Sequence, residues 1–160
     1  MFFIGGLLTL KEKEAVTLYL TTVEKDPLHY IPQDFIELYQ IHPEVKLNEP
    51  FSNIPNEDLI NHQEFQTKCK KSAKASAMIV KYLDDPEKAH GLYYTYGQEL
   101  RRENMTYQVY KTYEEIELRN INDTAGGDTD LKTGMTKLAT YTYRVVEEAL
   151  GKSLRPISSK

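Results

Sequence analysis

The segment TKCKKSAKASAMIVKYL, Thr67–Leu83, belongs to a stretch with five lysines and no acid between Phe65 and Leu83. On a helix turning about 100° per residue, Lys70, Lys74 and Lys81 fall within about 40° of one another, with Lys71 beside them. Lys68 lies nearer the edge of the opposite face. An exposed helix face usually mixes signs, because Glu–Lys pairs one turn apart support the helix. Here the lysines repel one another, and a polyanion would relieve the repulsion. Lys70 to Lys81 spans ~16 Å, enough to follow a few phosphates at ~3.4 Å each along one duplex strand. Arg101, Arg102, Lys137 and Arg144 could extend the row. Contacts of this kind hold the backbone and carry no base readout. The candidate nucleic-acid site is therefore Lys70, Lys71, Lys74, Lys81, Arg101, Arg102, Lys137 and Arg144. The competing reading is a solvated face balanced by acids elsewhere in the fold.

Other residues that could do chemistry point to less. The run YYTYGQELRRENMTYQVYKTY, Tyr93–Tyr113, is rich in tyrosine, and tyrosine can stack on bases. Tyr93, Tyr96 and Tyr113 sit on apolar seams and read as core. Tyr94, Tyr107 and Tyr110 lie off the seams and could be exposed near Arg101, Arg102 and Lys111, with an interface or core role favoured over stacking. His29, His42, His62 and His90 are scattered without ligand spacing, and Cys69 is the only cysteine. No metal site is expected from such a set. Asp128-Thr129-Asp130 beside Gly126-Gly127 lacks the closing glutamate of a calcium loop. There is no GxxxxGK[ST] phosphate loop and no GxSxG nucleophile elbow. Glu114, Glu115 and Glu117 read as solvated acids on a helix. No catalytic residue, cofactor or enzyme activity is expected; a metal-dependent hydrolase built on Asp123, Asp128 and Asp130 is the weakest alternative.

The elements that would hold these residues are helical. Apolar residues make up 40% of the 160-residue chain and charged residues 28%, a balance that suits one domain with a real core. The net charge of −4 is uneven: residues 1–60 carry −6, residues 61–112 carry +3 and residues 113–160 carry −1. The single cysteine fits a reducing cytoplasm. The opening MFFIGGLLTL is about half the ~20 apolar residues a membrane span needs, and no charged n-region precedes it as in a signal peptide. It reads as a segment buried on this chain or a neighbour, and the protein as cytoplasmic.

Five prolines interrupt the first sixty residues (Pro27, Pro32, Pro43, Pro50, Pro55). Helices are predicted over about 10–22 and 33–40, with loop from there to Asn61. The next helix runs over about 63–84, its small and apolar seam being Phe65, Cys69, Ser72, Ser76, Ile79 and Leu83 at heptad steps. The small seam residues would let a neighbouring helix approach closely. Asp85 caps a helix that opens at Pro86. Further helices cover about 105–121 and 131–150, separated by the turn-rich Asn122–Asp130, with Asp130 as the last cap and Gly151 as the stop. The expected fold is all-α, a compact bundle of five or six helices. A single domain is expected: a proline-interrupted part over 1–61, a main bundle over 62–151 and a tail over 152–160.

A small helical chain with basic patches, packing faces and no catalytic residues resembles the small subunit of CRISPR–Cas effector complexes (Cascade). In the type I-D branch the small subunit is made by internal translation from the large-subunit gene, and a chain starting in mid-fold at MFFIGGLLTL would suit that origin. The resemblance implies a non-catalytic subunit that packs as several copies beside other Cascade subunits. It also implies contact with the backbone of crRNA and target DNA, stabilising the guide–target duplex or the displaced strand. No motif carries it, so the basic residues above come from the helical wheel alone. The alternative is a helical protein-interaction adaptor, of phage or mobile-element type, docking on an acidic partner.

Overall fold

A computed structural model describes residues 8–151. The helices are α1 (Leu10–Lys25), α2 (Pro27–Tyr30), α3 (Pro32–Ile41), α4 (Pro43–Lys46), α5 (Gln63–Ala77), α6 (Pro86–Arg102), α7 (Tyr107–Ala125) and α8 (Thr129–Ala149). Two 3-10 segments, Asn56–Asn61 and Met78–Tyr82, complete the described residues, among which there is no strand. Six helices of ten residues or more carry the architecture, in agreement with the all-α bundle expected. The opening MFFIGGL and the tail over 152–160 lie outside the described residues. Leu8 is buried, whereas Leu10 is 72% exposed.

Local chemistry sets the boundaries. Thr9 caps α1 in a capping box with Glu12: Thr9 Oγ1 accepts from the Glu12 N–H at 3.1 Å and Glu12 Oε1 from the Thr9 N–H at 2.9 Å. Asp85 caps α6 ahead of Pro86, as its sequence predicts. The last helix departs from expectation. Its cap is Asp128, which accepts from the Leu131 N–H at 3.1 Å, so Asp130 falls inside the first turn. α7 continues to Ala125, which shortens the Asn122–Asp130 loop to three residues. Proline did not leave 41–61 as loop either. Pro43 opens α4, and the segment after it folds inward around Phe51. A proline at the first helical position costs nothing, because that N–H has no partner inside the helix.

The interior has three apolar clusters. One joins α1, α7, α8 and the Met78–Tyr82 segment through Val16, Leu20, Ile79, Met135 and Leu138. A second gathers Tyr39, Phe51, Leu59, Phe65, Cys69 and Ala73. A small third cluster holds Leu38, Val109 and Ile116. α6 packs most extensively on α8, and α5 packs on α1 and α2. Two glycines permit the tightest approaches. A Cβ on Gly97 would sit 2.6 Å from the Ala149 Cβ, and one on Gly134 would sit 2.8 Å from Val16 Cγ2. Between α5 and the pair α6 and α7 there is at most marginal packing, and this gap is where the cavity lies.

Candidate functional site: a central cavity

The cavity has a volume of about 700 Å³ and is bordered by α1, α2, α3, α5, α6, α7, α8 and the Met78–Tyr82 segment. Its existence follows from side-chain size. On α5, Cys69, Ala73 and Ala77 are buried in packing, but Ser72, Ala75 and Ser76 turn toward the gap and are too short to fill it. Of the small seam residues, Ser72 and Ser76 thus border a void, while Cys69, Ala73 and Ala77 are buried where α5 packs on its neighbours. Lys88, Gly91, Thr95 and Glu99 fall on one face of α6 and both line the cavity and stay exposed, which puts its mouth between α5 and α6.

The wall is aromatic and apolar, with a polar floor. Eight of the twelve tyrosines border it. At the floor, Glu117 on α7 accepts two hydroxyls: Tyr143 donates to Oε1 at 2.6 Å and Tyr113 to Oε2 at 3.1 Å. Asp34 on α3 is 5% exposed and accepts from Asn120 Nδ2 at 2.7 Å. Asn120 also donates to Glu37, which Arg119 pairs at the surface. Burial pushes the Asp34 carboxyl up to about 7, aided by the nearby Glu117 charge. Burial likewise raises Glu117, against the pull of the two tyrosine hydroxyls. Tyr93, Tyr96 and Tyr113 are held protonated well above their ordinary range, first by burial and then by the Glu117 charge.

None of the four histidines borders the cavity. His29 is exposed, edge-on to Tyr30 at 4.7 Å. His42 bridges Glu44 at 2.9 Å and Thr112 at 3.1 Å. His62 lies 6.4 Å from the Phe51 ring, and His90 stacks on Tyr94 at 5.8 Å. Cys69 is buried away from the wall, its thiol pushed up to about 12 by burial.

The arrangement of helices around this cavity is matched in solved structures. A globin of Drosophila melanogaster superposes with a TM-score of 0.78 at 13% identity, over 88% of this chain and 94% of its own. The fold is the globin fold. A hexa-coordinate haemoglobin of the same fly, whose structure concerns cyanide binding and haem-cavity transitions, matches with a TM-score of 0.76 at 13% identity, over 87% of this chain and 93% of its own. No family model and no curated protein matches the sequence.

The globin fold overturns the resemblance to a Cascade small subunit, and with it crRNA, target DNA, Cascade neighbours and stacked copies as partners. The adaptor reading has no support either. The basic residues scatter accordingly. Lys70, Lys71, Lys74 and Lys81 are exposed along α5 and the turn after it, while Arg101 and Arg102 end α6 and Arg144 lies on α8. Because α5 packs on α1 and α2, and α6 on α8, these cations belong to separately packed helices. Lys137 is not an outward cation: it pairs with Glu12 at 3.0 Å across α1 and α8. Lys68 pairs with Glu49 at 2.7 Å and lies 5.1 Å over the Phe35 ring. Of the tyrosines off the seams, Tyr110 is core at 4% exposed, whereas Tyr94 is exposed at 37%.

Sequence reading missed Glu117 and Asp34, and a signal for both was present. Glu117 falls four residues after Tyr113 on the Met105, Val109, Tyr113, Ile116 seam. Asp34 falls three after Ile31 and four before Leu38. A carboxylate on an apolar seam is a buried acid or a site residue, not a solvated one.

Proposed function

We propose that this chain is a globin-fold ligand-binding protein whose central cavity is its functional part, and that its ligand is not a histidine-held haem. The cavity carries the reading: about 700 Å³, an apolar and aromatic wall, and a few convergent polar groups, the usual make-up of a small-molecule site. The globin fold raises haem as the first candidate, since globins hold haem iron through a proximal histidine. This wall offers no imidazole and no thiolate. Its tyrosine hydroxyls are held protonated by burial. The residues present do not fit that group.

The role of the protein is then to bind and shield its ligand, without catalysis. The buried thiol of Cys69 suits a reducing cytoplasm. Among the described residues, no helix is long and apolar enough to cross a membrane.

Two titrations test the reading. Nile red, a neutral apolar dye, should bind saturably at one per chain, and Ser76→Phe, which puts a ring into the cavity, should abolish that binding without lowering the helical content. Haemin mixed with the chain should be lost on gel filtration. Stoichiometric retention of haemin with a sharp absorption band would overturn the exclusion of haem. A dye signal unchanged in Ser76→Phe would remove the cavity as the site.

A further inference from the structure

The floor and the wall of the cavity differ in chemistry, and the difference selects a ligand. Among the described residues, Asp34, Glu99 and Glu117 are the carboxyl groups that line it, against one cation, Lys88. Lys88 and Glu99 are exposed at the mouth, so among the described residues the interior holds two carboxyl groups and no positive side chain. The two lie close enough for each to raise the pKa of Tyr19 and for Glu117 to raise that of Asp34. A carboxylate has room for about four hydrogen bonds. Glu117 accepts two hydroxyls and Asp34 one amide, which leaves accepting positions on each. Arg119, the nearest cation to act on Asp34, is turned to Glu37 at the surface.

Buried carboxylates without a cation are costly unless something positive joins them. Tyr19, Tyr93 and Tyr96 border the cavity, and aromatic rings attract cations as well. Beyond the floor, Leu20, Ile79, Met135 and Leu138 form a wholly apolar wall. An anionic amphiphile would meet repulsion at the floor, and a neutral one would leave the carboxyl groups uncompensated.

We propose that the cavity is built for an amphiphilic organic cation, its amine or ammonium head against Glu117 and Asp34 and its apolar body along Leu20, Ile79, Met135 and Leu138. This rests on the reading of the cavity as a ligand site. The raised Asp34 group agrees with it, because a bound cation would restore the charged form.

Calorimetric titration of the full chain at pH 8 with n-octylamine, n-octanol and octanoate tests the proposal. The three probes share one tail and differ in the charge of the head. Octylamine should bind about tenfold tighter than octanol, the scale of one buried charge contact, with octanoate weakest. Glu117→Gln should lose about that tenfold for octylamine and leave octanol unchanged. Asp34→Asn should weaken octylamine in the same sense, and serves alone if Glu117→Gln does not fold. Equal binding of octanol and octylamine would overturn the cation preference while leaving the cavity as a ligand site. A cavity of this size that takes none of the three is not a ligand site, and both readings fall.

Discussion

Tyr143 on α8 donates its hydroxyl to Glu117 on α7 at 2.6 Å, and this bond ties the two helices together at the floor of the cavity. It holds one carboxylate oxygen in place while Tyr113, one turn before Glu117 on the same helix, holds the other. Removing the Tyr143 hydroxyl leaves a half-buried acceptor short of a partner. Tyr143→Phe should lower stability by about 1–3 kcal/mol, read from urea melts at pH 8. In the Glu117→Gln background the same substitution should cost less, since the hydroxyl no longer serves a charged acceptor. Equal costs in both backgrounds would mean that the hydroxyl acts elsewhere.

A second pair of acids adds to the pH dependence that Asp34 and Glu117 give the fold. Glu114 on α7 is 5% exposed, interacts with Glu147 on α8 and pairs with Lys111 at 3.6 Å. Burial, then the bond to Glu147, pushes the Glu114 carboxyl up to about 8. The unfolded chain gives up that proton near an ordinary glutamate value of about 4.3. Between those values the folded state binds more protons than the unfolded one, so stability falls as pH rises and the loss is complete above about 8. Glu114→Gln, neutral at every pH, should melt close to the wild type at pH 4.5 and higher than it at pH 8.5. Parallel melting curves across that range would show that the pair does not titrate as described.

The helices were legible because amphipathic periodicity and capping are local. The α5 and α8 seams and the Asp85–Pro86 start are read from neighbours within one turn. The cavity was not legible, because Ser72 and Ser76 look the same whether they admit a helix or a ligand. Only the placement of α6 and α7 away from α5 decides between them. The same limit misled the reading of charge. Lys70, Lys71, Lys74 and Lys81 do form an exposed row, but a row of lysines states nothing about what lies behind the helix. Phe51 was hidden for a different reason. It stands alone in a proline-rich segment without periodicity, and its partners Tyr39 and Phe65 come from separate helices.

That placement makes Phe51 a sharp probe of the N-terminal half. Its ring is 1% exposed, edge-on to Phe65 at 5.4 Å and tilted against Tyr39 at 6.0 Å. Phe51→Ala should destabilise the fold by about 3–5 kcal/mol through lost burial and the void left behind. Lys74→Ala, on the exposed face of α5, should stay within about 0.5 kcal/mol of the wild type. Thermal melts of the two variants side by side would check both. A Phe51→Ala protein as stable as Lys74→Ala would show that the segment after α4 is not part of the core.

The contact of α6 with α8 fixes one wall of the cavity, and Gly97 fixes that contact. A methyl group at Gly97 would meet the Ala149 Cβ at 2.6 Å and the Val146 carbonyl oxygen at 3.1 Å. Neither neighbour can swing aside, since one is a methyl on a helix and the other is backbone. Gly97→Ala gains helix propensity of about 1 kcal/mol, but overpacking of this kind costs about 1–3 kcal/mol. The net change should be a loss, visible as a lower melting temperature. Ala149→Gly removes the closer of the two obstacles, so the double variant should be more stable than the sum of the two single changes. Additive losses would place the strain elsewhere than at the Gly97–Ala149 crossing. A weaker affinity for Nile red in Gly97→Ala, restored in the double variant, would show in addition that this crossing sets the width of the cavity.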